Sequence, residues 1–425
     1  VLTRVEEKTV KSAAKKASII SIGNEIITGH IVDTNAAYLS ASLIDNGIPT
    51  VGVHQIGDDV EVIASTIRQT AEVSDIILLT GGLGPTDDDV TREALARYLD
   101  TKLELRSNLL QELEKFFEKR SIAMPEINKR QAYVPIGTEP MPNSLGTAPG
   151  ILAKCEGKII AAMPGVPSEM KRMFENYVMP ELKKESSGMV ILIRKLKCFG
   201  TGESTLVQKL GDMMARDRNP QINCTVSYGV ITLHIVATAK DKTHAQQMVE
   251  QDEKTLKSLL GELVYGVEEQ TLAQVVGERL AEQKKTLTVA ESCTGGLLGK
   301  LITDVPGSSR YFVGGWITYS NKAKIAELGV PAEIIGRCGA VSAEVATAMA
   351  EGARQRARTD YAISITGIAG PEGGSEQKPV GLVYIGVASA QDCSVQRFIF
   401  PPDRELIRLR AAQTALNVLR LKMRI

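Results

Sequence analysis

Asp75-Ile76-Ile77-Leu78-Leu79-Thr80-Gly81-Gly82-Leu83-Gly84-Pro85-Thr86-Asp87-Asp88-Asp89 sets the architecture of the front of this chain. An apolar run without polar alternation predicts a strand covered on both faces, and the glycines after it open a loop. The same pattern recurs on either side. Residues 18–22 form a short apolar strand, and 34–45 carry helical spacing through Ala37, Leu39 and Leu43. Residues 50–55 read as a strand, and 60–73 and 89–98 as helices. Strands alternating with helices predict an α/β domain with a parallel sheet and helices on both sides. Residues 150–155 and 158–163 predict a hairpin across Glu156-Gly157, and 167–177 a helix, closing the domain near Lys184.

Residues 186–265 read differently, as strand, helix, hairpin and helix, which predicts a small α+β module. From 266 to 425 a third, α/β unit follows, opening on a helix over 270–282. Its strands are predicted at 286–290, 313–319, 361–366, 380–388 and 394–400, and its last helix at 403–421. The expected division is therefore 1–16 as a polar leader, 17–185, 186–265 and 266–425. A length of 425 residues agrees with several domains, since single cores stop growing well below it.

Composition narrows the function classes. Fifty Lys+Arg balance 50 Asp+Glu, with the front mildly acidic and the rest mildly basic. No basic stripe with interleaved aromatics occurs, which argues against nucleic acid as the main partner. No apolar run reaches the length of a membrane-spanning helix. Cys155, Cys198, Cys224, Cys293, Cys338 and Cys393 stand far apart, and four histidines accompany them, so a zinc site is not expected. Scattered cysteines predict reduced thiols and a cytoplasmic location. The first 16 residues, with Arg4, Lys8, Lys11, Lys15 and Lys16 and no apolar core, do not have the form of a secretory signal.

Three stretches of the last unit carry chemistry. Ala290-Glu291-Ser292-Cys293-Thr294-Gly295-Gly296 is a polar, glycine-bearing turn between strand and helix. A hydroxyl there sits near helix N-terminal amides that stabilise an oxyanion or hold a phosphate, although Ser and Thr also serve such turns as plain N-caps. Tyr319-Ser320-Asn321-Lys322-Ala323-Lys324 follows an apolar strand. A lysine there is a general base only if its pKa is lowered, and two solvated helix-start lysines are the simpler reading. Thr366-Gly367-Ile368-Ala369-Gly370-Pro371 places glycines after a third strand, where backbone amides approach a phosphate or merely turn.

Together these stretches resemble the C-terminal domain of the CinA (competence-damage-inducible) family, a nicotinamide mononucleotide deamidase domain, over about residues 268–422. That resemblance implies Ser292 as nucleophile, Lys324 as its base, and Tyr319 relaying or positioning the proton. Thr294, Gly295, Gly296, Gly367, Ala369, Gly370 and Arg404 would contact the substrate, and no metal would be needed. Pro402 stands where the family usually has glycine before the Asp-Arg pair. Cys293 beside the serine lacks a histidine in its domain and reads as a packing residue.

In the front domain, Gly23-Asn24-Glu25 and Asp33-Thr34-Asn35 follow the first strand, as Gly81–Asp89 follow the third. Open α/β sheets bind ligands at such strand ends. With residues 143–150 and 163–170 they resemble the molybdopterin-binding fold found at the front of CinA proteins. The resemblance implies hydrolysis of ADP-ribose to AMP and ribose 5-phosphate with a divalent metal such as magnesium, and potassium. Glu25, Asp33, Asp87 and Asp88 would hold the metal, and Gly81, Gly82, Gly84, Thr86, Gly146, Thr147 and Gly150 the substrate. Asn24 stands where the family commonly has aspartate. The middle module resembles the family's KH-like linker domain. The resulting expectation is a pyridine-nucleotide salvage enzyme that self-associates as a homodimer. Its rivals are a molybdopterin-type binding protein with a scaffold C-terminus, and a competence or DNA-damage accessory protein.

Overall fold

A computed structural model describes residues 15–184 and 190–424. The expected polar leader, apart from Lys15 and Lys16, lies outside the described residues, as does the expected border at 185/186. The chain forms two compact units. One runs to Leu192 and takes in Ala237–Gln247; the other comprises Ile193–Val236 and the chain from Met248 onward. Among the described residues no helix is long and apolar enough to cross a membrane.

In the first unit the strands are β1 (Ala17–Ile22), β2 (Thr50–Ile56), β3 (Ile76–Thr80), β4 (Leu103–Leu105), β5 (Tyr133–Pro135), β6 (Glu139–Met141), β7 (Gly150–Cys155) and β8 (Lys158–Met163). Six of them form one sheet in the order β2-β1-β3-β8-β7-β6, and β4 pairs with β5. β1 is parallel to β2 and β3, and β3 to β8. Every residue of β1 and β3 is buried, because alternate side chains feed two cores. Ile19 and Leu78 join one core with Leu39 and Leu43 of the helix Thr34–Asp45. Ile20, Ile77 and Leu79 join the other with Ile63 and Ile67 of the helix Val60–Val73.

The hairpin expected across Glu156-Gly157 is present: β7 runs antiparallel to β8, and to β6 on its other side. A two-residue turn forces the reversal, with Glu156 at φ 50° and Gly157 at φ 76°, the pair of left-handed residues that a tight hairpin favours. The helix expected over 167–177 is an α-helix, Pro167–Met173, continued by a π-turn, Phe174–Val178, and a further helix, Met179–Lys184.

The small sheet contains β9 (Val190–Cys198), β10 (Gln221–Ser227), β11 (Val230–Ala239) and β12 (Val264–Val267) in the order β10-β11-β9-β12. The C-terminal sheet contains β13 (Leu287–Glu291), β14 (Phe312–Ile317), β15 (Tyr361–Gly367), β16 (Leu382–Ala388) and β17 (Cys393–Ile399), ordered β14-β13-β15-β16-β17. Phe199 and Tyr265, from the end of the small module, are buried in the same core as the C-terminal sheet and the last helix, Arg404–Lys422. The small module thus shares its interior with the C-terminal domain.

β13 lies parallel between β14 and β15, with Glu291 level with Ile317 on one side and Ile365 on the other. Parallel pairing brings three carboxyl ends to one edge of the sheet. Ser292 and Thr318, far apart in sequence, therefore leave the sheet side by side, next to Thr366 near the end of β15.

Candidate active site

Ser292 begins the turn after β13, and its amide donates to the Ile365 carbonyl at 3.0 Å. Glu291, 1% exposed, closes the turn from below. Its carboxylate accepts from the amides of Gly296 and Leu298 at 3.0 Å and of Gly299 at 2.8 Å, satisfying the start of the helix Leu297–Thr303. Gly295 and Gly296 sit at φ 59° and 93°, where a side chain would be strained. The sequence reading did not single out Glu291; a buried acid beside a glycine pair was the available signal.

Across the edge, Ser320 caps the helix Asn321–Leu328 by accepting from the Ala323 amide at 3.1 Å. One turn in, Lys324 points back beneath β14 and is 1% exposed, whereas Lys322 is exposed. The solvated-lysine reading therefore holds for Lys322 and fails for Lys324. The Lys324 Nζ lies 2.9 Å from Ser292 Oγ, 2.7 Å from the Thr318 carbonyl and 3.3 Å from the Tyr319 carbonyl. Burial pushes its pKa below the ordinary lysine value. A neutral amine has two hydrogens and one lone pair. In that form the two carbonyls would take the hydrogens and the lone pair would face the serine hydroxyl.

The Tyr319 side chain is placed otherwise than expected. Its ring is 62% exposed, and its hydroxyl accepts from Arg404 Nη2 at 3.4 Å, while only its backbone carbonyl meets Lys324. The phenol is thus not aligned as a relay between serine and lysine; it meets Arg404 instead. Arg404 also donates to the Gly370 carbonyl at 2.5 Å, tying the glycine loop to the last helix. Arg408, one turn further on and absent from the sequence reading, donates to the Thr294 carbonyl at 2.7 Å. Its signal was the i, i+4 spacing from Arg404.

Thr294 is fully buried with its hydroxyl unpartnered, so only its backbone faces the turn's partners. Ala369 is buried, and Gly367 ends β15, where a Cβ would come within 2.7 Å of the Leu382 carbonyl. Both are packing positions. Cys293 is buried and its thiol is pushed up to about 12, which agrees with the packing role expected of it.

In the first unit a cleft of about 700 Å³ opens over the ends of β1 and β3. Gly81, Gly82, Gly84, Gly146 and Thr147 line it, with Glu25, Asp33 and Asp88 among its acids. Gly150 instead lies inside the sheet, where a Cβ would meet Met173 and the Ala162 carbonyl. The Thr86 hydroxyl is engaged with Asp89 at 2.5 Å. Asp33 caps the helix Thr34–Asp45 by accepting from the Ala36 amide, and Asp87 pairs with Arg130 at 2.8 Å. Among the described residues no three His, Cys, Asp or Glu side chains converge as metal ligands. The four expected carboxylates therefore do not form a ready metal site.

Asn35 is the better-defined polar group of this cleft, and the sequence reading quoted it without a role. It is 8% exposed, and its Nδ2 donates to Thr80 Oγ1 at 2.9 Å and to the Gly165 carbonyl at 2.8 Å. The Gly165 carbonyl can only accept, which fixes the amide's orientation and leaves Oδ1 buried without a partner.

Fold and sites together define a multi-domain α/β chain with a ligand cleft in its first unit and a buried serine–lysine pair in its second. Family profiles match it in three consecutive stretches. These are the "probable molybdopterin binding domain" over 18–184, the damage-inducible protein CinA KH domain over 193–266, and the CinA C-terminal domain over 269–423. A Caldicellulosiruptor saccharolyticus protein named as competence-damage inducible is 45% identical over 404 residues, covering 95% of this chain and 98% of its own. One of the same name from Halothermothrix orenii is 43% identical over 400 residues, 94% and 96% of the two chains. A CinA-like protein of Dictyoglomus thermophilum is 42% identical over 405 residues, 95% and 98% of the two. The chain belongs to the CinA family.

Proposed function

We propose that the C-terminal domain hydrolyses the carboxamide of nicotinamide mononucleotide, giving nicotinate mononucleotide and ammonia. The observation that carries this reading is the 2.9 Å approach of a buried, desolvated Lys324 to Ser292 Oγ. The Ser292 hydroxyl gives its proton to the Lys324 amine as Oγ bonds to the carboxamide carbon. The Lys324 ammonium then protonates the departing nitrogen, the C–N bond breaks, and ammonia leaves an acyl-serine. Water attacks the ester, losing a proton to Lys324, and that proton returns to Ser292 Oγ as the acid is released. Arg404, which meets the Tyr319 phenol, is the cation we assign to the substrate's phosphate.

For the first unit, the glycine-lined cleft and the unpartnered Asn35 acceptor support a phosphorylated ligand with a hydroxyl to donate. ADP-ribose, hydrolysed to AMP and ribose 5-phosphate, is the substrate we assign. Asp33 and Asp87 are engaged elsewhere, so no step is drawn through a metal. The deciding measurement for the C-terminal reading is ammonia release from nicotinamide mononucleotide by the wild type and by Ser292→Ala. Release that vanishes in the variant is expected; none from the wild type rejects the reading.

A further inference from the structure

Within the second unit a cleft of about 820 Å³ separates the small module from the C-terminal domain. One wall is the Phe199–Gly202 turn; the other is Phe398, Phe400 and the face of the last helix that carries Arg410, Thr414 and Asn417. It shares no residue with the serine–lysine site. Arg404 and Arg408 turn toward Tyr319 and Thr294, whereas Arg410 turns into this cleft.

Arg410 is the anomaly. Its guanidinium carbon lies 5.8 Å from the Phe199 ring centre and 5.9 Å from that of Phe400. It rests against the Tyr228-Gly229 turn between β10 and β11, where a Cβ at Gly229 would fall 2.0 Å from Nη1. Among the described residues nothing accepts a hydrogen bond from it, and its Nε is buried without a partner. Glu203 and Glu262 line the same cleft, yet neither carboxylate pairs with it. Glu203 accepts instead from the Cys224 thiol at 3.4 Å. Arg420, also in the wall, is already committed to Asn417 Oδ1 at 3.0 Å.

A half-buried guanidinium with five donors and no acceptor is an unfavourable arrangement. Two aromatic contacts account for its position but satisfy none of its donors. An anion approaching through the cleft would. Beside it Phe398, half-buried, stacks on the buried Phe400 with ring centres 5.9 Å apart and planes 6° from parallel, and lines the same space. The cleft's volume lies in the range of small-molecule sites, roughly 300–1,000 Å³.

We propose that this cleft binds a nucleoside monophosphate, its phosphate on Arg410 and its base against Phe398, as a second ligand site apart from the serine–lysine centre.

Hydrogen–deuterium exchange on the full chain tests this, with AMP as the probe and adenosine as its uncharged counterpart. AMP is expected to slow exchange in residues 199–206, 228–231 and 396–400, and adenosine is not. Arg410→Leu, checked for an unchanged melting curve, is expected to weaken the AMP effect about tenfold or more, the worth of a charge-assisted pair. Ser292→Ala is expected to leave it intact. Arg410→Gln takes the place of the leucine variant if that one does not fold. No slowing in the wild type at millimolar AMP, equal slowing by adenosine, or full protection in the Arg410 variants would overturn the proposal.

Discussion

Lys324 concentrates the proposed chemistry of the second unit because its amine is buried away from water. It is 1% exposed, and burial alone accounts for its lowered pKa. Both rate and stability then depend on pH through this one amine. The proposed mechanism requires the amine form, so the rate is expected to rise with pH on a limb whose midpoint lies below the ordinary lysine value of 10.5. For stability, the unfolded chain binds the proton more tightly. The cost of burying Lys324 is therefore absent above 10.5, grows as pH falls toward the folded value, and is constant below it. Lys324→Met is expected to abolish that pH dependence in thermal melts without lowering the neutral-pH melting temperature, while ammonia release falls roughly 10²–10⁴-fold. A melting temperature several degrees lower in the variant would show that the hydrogen bonds to the Thr318 and Tyr319 carbonyls outweigh the cost of burying the amine. Cys293, its thiol raised to about 12, is expected to resist alkylation at neutral pH, and Cys293→Ala to keep most of the activity.

At the scale of elements, the turn that carries Ser292, the proposed nucleophile, is held by groups behind it. Glu291 accepts three amides at the start of Leu297–Thr303, and Arg408 of the last helix clamps the Thr294 carbonyl. Glu291→Ala strands three donors, and denaturant unfolding is expected to show a loss of about 1–3 kcal/mol or more. Arg408→Ala is expected to lower kcat about tenfold with little change in KM, since the clamp positions Ser292 rather than the ligand. A raised KM at constant kcat would instead make Arg408 a binding residue. The elements carrying these groups were largely legible in the sequence. The apolar runs that became β1, β3 and β13 have both faces covered, so burial leaves a signal at every position. The helix Ser107–Glu118 and the pair β4–β5 went unread, since short, charged segments bury only one stripe or none. The orientation of Tyr319 was equally hidden. A motif gives residue order, and here Thr318 is buried while its neighbour is 62% exposed.

At the scale of the molecule, three consecutive segments of sequence make two compact units, because Phe199 and Tyr265 are buried with the C-terminal core. Each unit carries its own candidate site at the carboxyl ends of parallel strands, and the two sites share no side chain. The acids read from sequence as a metal set show the limit of motif reading. Asp33 and Asp87 were apt in type, but local structure claims them first, one as a helix cap and one as a partner of Arg130. The group that no motif flagged, Asn35, is the one left with an unsatisfied acceptor in the front cleft. If ligand recognition there runs through that oxygen, the two activities separate by substitution in the intact chain. Asn35→Ala is expected to raise KM for AMP release from ADP-ribose roughly tenfold, the worth of one well-placed hydrogen bond in a desolvated site, and to leave ammonia release unchanged. Ser292→Ala is expected to do the reverse. Equal loss of both activities in Asn35→Ala would mean that the side chain supports the fold through Thr80 and Gly165 rather than the ligand, and unchanged KM would mean that water satisfies Oδ1 in both states.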